Sequence, residues 1–99
     1  MIYKTYLYEP IIGRDEKKFV NDCLNSNWIS SKGKYIEKFE KRFSNFIKIK
    51  YSITVSNGTA ALHLALLAVN IKKKDEVIVP TFTYISPVNA IKYIGAKVK

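Results

Sequence analysis

The sequence has 99 residues, of which 47% are hydrophobic. This length allows one small hydrophobic core and excludes a second independent domain. The formal net charge is +9, from 17 Lys and Arg against 8 Asp and Glu, which raises nucleic acid or acidic lipid as a class of partner. The basic residues are spread along the chain and form no single block, so nucleic acid is a less favoured partner and stays an alternative.

The cellular compartment follows from what the sequence lacks. The N-terminus shows no signal-peptide pattern, and no apolar run reaches the roughly 20 residues that a membrane span needs. Cys23 is the single cysteine, which is typical of a reducing compartment. We therefore expect a cytoplasmic protein without a membrane partner.

The first half of the chain is predicted to form two amphipathic helices. Residues 2–8 are aromatic-rich and indicate an extended arm or edge strand. Residues 14–25 and 34–47 both place apolar side chains on one face at helical spacing, and we expect both faces to be buried. The stripe of the second helix includes four aromatic residues, which are expected in the core: Tyr35, Phe39, Phe43 and Phe46.

The second half alternates strand and helix patterns. Strands are predicted at residues 51–55 and 77–79, with the second fully buried, and a third strand begins at residue 96. Helices are predicted at residues 59–70 and 85–94, the first of them apolar nearly all round and therefore buried between two layers. Such alternation is typical of an α/β protein with a parallel sheet and right-handed crossovers.

The turn between the first of these strands and its helix has the chemistry of an anion site. Asn57 and Gly58 can adopt backbone angles that other residues resist, and Thr59 can cap the helix or present its hydroxyl. Free N–H groups at a helix N-terminus attract a phosphate. Ligands of open parallel sheets bind beyond the carboxyl ends of the strands, where the loop ending at Tyr84 is also expected.

Residues 26–33 interrupt the helical pattern of the first half. This loop carries the only tryptophan, Trp28, among small polar residues. Two interpretations stay open: the indole packs as a hydrophobic plug, or the loop faces a ligand.

Three separated motifs resemble one known family. They are S-N-G-T-A-A-L-H-L-A-L at residues 56–66, D-E-V-I-V-P-T-F-T-Y at 75–84 and W-I-S-S-K-G-K-Y-I-E-K-F-E at 28–40. In order and spacing they resemble the DegT/DnrJ/EryC1/StrS family of pyridoxal-phosphate-dependent sugar aminotransferases. The resemblance runs over essentially the whole chain but covers only about the first quarter of such enzymes.

The resemblance implies the fold and the roles of particular residues. The chain would be the N-terminal part of a fold-type I PLP-transferase large domain, with α-β-α layers and an incomplete parallel sheet. It would form one incomplete domain, with an arm and two helices in 1–50 and a βαβα start in 51–99, and the strand at 51–55 would lack its sheet neighbours. The implied cofactor-binding residues are Gly58, Thr59 and Ala60 at the phosphate and Tyr84 on the pyridine ring. The implied substrate-binding residues, at a nucleotide-sugar pocket, are Asn27, Trp28, Ile29 and Ser30.

The resemblance also implies a chemistry. In this family glutamate, or a similar donor, supplies an amino group that is transferred through pyridoxal 5'-phosphate to a nucleotide-linked keto-sugar. The full-length enzymes are expected to be homodimers. The lysine that binds the cofactor covalently and the acidic partner of the cofactor's ring nitrogen are not identifiable in these 99 residues. We therefore predict no catalytic residue in this chain and no transamination by this chain alone. We also predict no metal site.

Two other functions remain open at this point. One is a small basic α/β module that binds nucleic acid or another polyanion. The other is an interaction fragment that docks on a full-length homologue.

A departure from the family pattern is Lys74, where a glycine is usual before D-E-V-I, and solvent exposure would make this lysine tolerable.

Overall fold

The computed structural model describes residues 8–99 and divides into two compact units, Met1–Tyr51 and Ser52–Lys99. The predicted arm at residues 2–8 lies outside the described residues except for Tyr8, which has no regular secondary structure. Whether the two units form one domain stays a prediction.

The first unit contains helices α1, Arg14–Asn25, and α2, Lys34–Ile47, both at the predicted positions. α1 begins after Gly13, whose N–H donates to Glu16 Oε2 at 2.8 Å, so that an acidic side chain satisfies a free amide at the positive end of the helix. α2 ends at Lys48, which has a left-handed backbone with φ of 57°.

The apolar faces of α1 and α2 are more exposed than predicted. Phe39, Phe43 and Phe46 are exposed, and Phe46 keeps 82% of its surface accessible, so their placement in a core was wrong for this chain. Only Tyr35 of the four aromatics is half-buried. Two helices of 12 and 14 residues offer too little apolar surface to cover both stripes.

The second unit contains helices α3, Gly58–Ala68, and α4, Ile85–Ile94, and strands β1, Glu76–Val77, and β2, Lys97–Val98. β1 and β2 pair in parallel, with Glu76 opposite Lys97 and Val77 opposite Val98. The pairing extends beyond these residues, because the Val79 N–H donates to the Lys99 carbonyl at 2.9 Å. A strand, a helix and a parallel strand follow in the predicted order, which confirms the α/β class.

The core of the second unit lies around α4. This helix packs against α3 and against β2, and it supplies Ala90 and Ile91, which are almost inaccessible together with Ala96. α4 ends at Gly95, whose φ of 82° favours glycine, and the following chain turns directly into β2.

Three predictions for the second unit were wrong. Residues 51–55 form no strand, because the described residues supply no sheet neighbour for them. The strand at 77–79 is not fully buried, since Ile78 is 85% exposed. Among the described elements of this unit α3 packs against α4, and the leucines Leu62, Leu64 and Leu67 are exposed.

The turn before β1 accommodates the unusual Lys74. The Lys72 N–H donates to Asp75 Oδ2 at 2.7 Å, and the Asp75 N–H donates back to the Lys72 carbonyl at 2.9 Å. Lys74 is exposed and does not have a positive φ. A glycine is therefore not needed at this position for the turn to form.

Candidate functional site

The N-terminus of α3 is built by a side-chain cap. Asn57 has an extended backbone and its Oδ1 accepts a hydrogen bond from the Ala60 N–H at 2.9 Å. Thr59 lies inside the first turn, so the prediction that Thr59 can cap this helix was wrong. Within the described residues, the N–H groups of Gly58 and Thr59 have no acceptor.

The surroundings of these two amides suit an anion. α3 has no acidic residue in its first turn, so the positive end of the helix dipole is not neutralised there. A Cβ built on Gly58 would meet nothing within 4 Å, so the space over this residue is open. Unpaired N–H donors beside open space can bind a phosphate without any rearrangement of the backbone.

Tyr84 lies beyond the carboxyl ends of both strands. It directly precedes α4 and is exposed. Together with Val79, which follows β1, and Lys99, which follows β2, it lines an open cavity of about 370 Å³. Gly58, Thr59 and Ala60 do not line this cavity.

The predicted substrate loop lies in the first unit. The Trp28 N–H donates to the Cys23 carbonyl at 3.1 Å, and Asn27 has a left-handed backbone with φ of 59°. Trp28 is 58% exposed, which fits a hydrophobic plug poorly. Trp28 and Ser30 line a cavity of about 150 Å³, whereas Ile29 lines the apolar groove between α1 and α2.

A cluster of three polar side chains joins the two ends of this loop, and sequence reasoning missed it. The Tyr35 hydroxyl donates to Asp22 Oδ2 at 2.8 Å, and the Lys34 ammonium pairs with the same oxygen. The only signal in the sequence was an acidic residue near the end of one helix and a Lys-Tyr pair at the start of the next. The cluster links α1 to α2 across the loop at residues 26–33.

The cluster shifts the pKa of each member. The hydrogen bonds from Lys34 and then Tyr35 lower the pKa of the Asp22 carboxyl. The same carboxylate raises the pKa of Lys34 and the pKa of Tyr35, because it favours the protonated form of each partner. All three groups are solvent-accessible, so the cluster orients the loop more than it stabilises the fold.

His63 packs against the neighbouring helix α4. It is half-buried in α3, and its ring meets Tyr93 of α4 edge-on at a centroid distance of 5.6 Å. Across residues 8–99 no three His, Cys, Asp or Glu side chains are grouped so as to hold a metal ion. No helix in the same part of the chain is long and apolar enough to cross a membrane.

Several solved structures with this fold are aminotransferases. The putative sugar aminotransferase Spr1654 from Streptococcus pneumoniae, in its PMP-form and its PLP-form, matches with a TM-score of 0.84 and 32% identity over 98% of this chain and 24% of that chain. An aminotransferase from Psychrobacter cryohalolentis matches with a TM-score of 0.81 and 36% identity over 90% of this chain and 23% of that chain. The fold is thus the N-terminal part of a fold-type I PLP-dependent transferase.

The sequence comparisons identify the family. Residues 10–99 match the DegT/DnrJ/EryC1/StrS aminotransferase family, and the chain belongs to it. GDP-perosamine synthase from Escherichia coli O157:H7 is 61% identical over 90 residues, which are 91% of this chain and 25% of that protein. The corresponding synthase from Vibrio cholerae is 56% identical over 91% of this chain and 24% of that protein. The chain therefore spans about a quarter of the length of the relatives it matches.

Proposed function

We propose that this chain is the N-terminal part of a PLP-dependent aminotransferase that acts on a nucleotide-linked keto-sugar. The observation that carries the proposal is the pair of free backbone N–H groups of Gly58 and Thr59 at the N-terminus of α3, here called the amide site. This site lies in the S-N-G-T motif of a chain that belongs to the family. Family membership favours this function over a polyanion-binding module.

The residues of the second unit fit the cofactor. The Gly58 and Thr59 amides would hold its phosphate, with Ala60 completing the turn that the Asn57 side chain fixes. The exposed ring of Tyr84 would cover one face of the pyridine ring. The cofactor, when bound, supplies an electron sink for amino-group transfer, and this chain binds and orients it.

The loop at residues 26–33 would contact the sugar nucleotide. Asn27, Trp28, Ile29 and Ser30 supply a left-handed turn, a largely exposed indole, an apolar side chain and a hydroxyl. The Asp22, Lys34 and Tyr35 cluster connects the two helices that flank the loop, which would restrict the loop before a ligand binds.

Amino-group transfer itself needs more than this chain. A lysine that binds the cofactor covalently and an acid beside its ring nitrogen are family requirements that no residue of this sequence matches. We therefore expect the isolated chain to be inactive. The substrate, glutamate as donor and a homodimer belong to the proposal for the complete protein.

The cofactor site can be tested in a fusion that places residues 10–99 of this chain in front of the remaining three-quarters of the E. coli O157:H7 synthase. Tyr84→Ala should weaken pyridoxal phosphate binding about three- to tenfold, because stacking on the ring is lost. Phe82→Ala is the matched control, since Phe82 is an aromatic of the same loop and is fully exposed. Equal affinities for the two variants, measured by absorbance titration, would contradict the role of Tyr84.

A further inference from the structure

The start of the loop at residues 26–33 is bonded to the end of α1. The Trp28 N–H donates to the Cys23 carbonyl at 3.1 Å, and the Asn27 N–H donates to the Leu24 carbonyl at 3.2 Å. Both carbonyls belong to the last turn of the helix. The backbone of Trp28 therefore has a defined position on α1, while its indole is 58% exposed and accessible to a ligand.

The end of the loop approaches the same tryptophan. A Cβ built on Gly33, the residue before α2, would lie 3.7 Å from the Trp28 Cβ. Trp28 thus lies between the end of α1 and the start of α2. The position of its indole depends on how these two helix ends are held together.

One carboxylate holds the two helix ends together. Asp22 of α1 accepts the Tyr35 hydroxyl at 2.8 Å through Oδ2, and the Lys34 ammonium pairs with the same oxygen. Asp22 adjoins Cys23 on one side of the loop, and Lys34 adjoins Gly33 on the other. The cluster is therefore adjacent to both residues that contact the tryptophan.

The cluster contributes little to the stability of the fold. The side chains of Lys34 and Asp22 are 62% and 41% exposed, and solvent screens an ion pair of this kind. The Tyr35 ring packs on Phe19 at a centroid distance of 5.2 Å, which does not require its hydroxyl. The bonds to Asp22 therefore define direction more than they add burial.

We propose that Asp22 is a positioning residue for the nucleotide-sugar site. Through its bonds with Lys34 and Tyr35 it fixes the start of α2 against α1, and this holds the indole of Trp28 in the position that contacts the substrate. A contact that is held in place beforehand loses less conformational entropy on binding, so the cluster raises substrate affinity and takes no part in amino-group transfer. The inference rests on the proposed function, in which this loop contacts the sugar nucleotide.

A double-mutant cycle in the fusion described above tests the proposal. The kinetics are measured with the GDP-linked keto-sugar that amino-group transfer converts to GDP-perosamine. Asp22→Asn keeps the shape of the side chain and removes its charge, so it should raise the KM about three- to tenfold and change kcat less than about twofold. Trp28→Ala should raise the KM at least as much. The double variant should have the KM of Trp28→Ala alone, because Asp22 acts only through the indole.

Two further variants separate positioning from folding. Lys34→Arg keeps a cation beside Asp22 and should keep the KM within about twofold of the wild type, whereas Lys34→Met should behave like Asp22→Asn. Asp15→Asn, on α1 but outside the cluster, should leave both constants unchanged. A merely structural role of Asp22 would lower the melting temperature and the amount of active enzyme and would leave the KM unchanged.

Two results would overturn the inference alone. One is a KM of Asp22→Asn equal to that of the wild-type fusion. The other is a double variant in which the two single effects multiply, since the carboxylate and the indole would then act independently. A folded wild-type fusion without turnover, although the parent synthase is active, would instead contradict the proposed function and the inference with it.

Discussion

At the residue scale, the amide site depends on one asparagine. Asn57 satisfies the Ala60 N–H and thereby leaves the Gly58 and Thr59 amides as the free donors. The sequence predicted the site but assigned the capping option to Thr59. Asn, Ser, Thr and Asp all serve as caps, so the capping residue depends on where the helix starts, which sequence patterns define only within a few residues.

Asn57→Ala should therefore lower the free energy of unfolding by about 1 kcal/mol, because the Ala60 N–H loses its acceptor. Asn57→Asp keeps an oxygen in place and should stay close to wild type. Urea unfolding followed by circular dichroism measures both variants. A loss of the same size in the Asp variant would show that the side-chain nitrogen of Asn57, and not its hydrogen bond with the Ala60 N–H, stabilises the fold.

The polar cluster at Asp22 should give the first unit a defined pH dependence. The lowered pKa of Asp22 means that its stabilising effect is present above the ordinary aspartate value of about 3.9 and is lost as the pH falls through the lowered folded value. The raised pKa values of Lys34 and Tyr35 mean that their effect is present below about 10 and is lost as the pH rises through the raised folded values.

The difference in unfolding free energy between wild type and Asp22→Asn should thus be largest between about pH 5 and 9 and shrink at both ends. Asp15→Asn, on the same helix but outside the cluster, is the control. Chemical denaturation across this pH range measures both variants. A difference between wild type and Asp22→Asn that does not vary with pH would contradict the ion-paired cluster.

At the element scale, the helices follow the local sequence closely. α1, α2 and α4 have the predicted bounds because Gly13, Gly33 and Gly95 mark their ends and the apolar spacing between these points is regular. The prediction of a strand at 51–55 was wrong. A strand needs a hydrogen-bonded neighbour, and a local pattern cannot tell whether the neighbour is present.

Two glycines of the second unit should respond to alanine in opposite ways. Gly95→Ala should destabilise the chain by about 1 kcal/mol, because a φ of 82° is strained for any residue with a Cβ. Gly58→Ala should be neutral or stabilise by a few tenths of a kcal/mol, since its Cβ meets nothing and alanine favours the helix. Thermal unfolding compares the pair, and equal effects would contradict the assigned end of α4.

At the scale of the whole molecule, the two units expose much of their apolar surface. Only three apolar residues among those described are fully buried, whereas Phe46, Ile78 and Phe82 are almost entirely accessible. The length and the alternation of strand and helix patterns correctly predicted a small α/β protein. It could not predict the burial of each face, because burial depends on the elements that pack against it.

This exposure should give the isolated chain a strong affinity for a hydrophobic dye such as anilinonaphthalene sulfonate, together with concentration-dependent self-association. The fusion to the rest of the synthase should bind much less dye for each molecule. Fluorescence titration and sedimentation velocity measure the two effects. Equal dye binding by chain and fusion would contradict the idea that further elements cover these faces.

We propose that this chain supplies the N-terminal part of a sugar aminotransferase, and turnover by the fusion tests this proposal most directly. The fusion should produce GDP-perosamine under the conditions in which the E. coli O157:H7 synthase does so, and the isolated chain should produce none. A correctly folded fusion that forms no GDP-perosamine, although the parent synthase does, would contradict the claim.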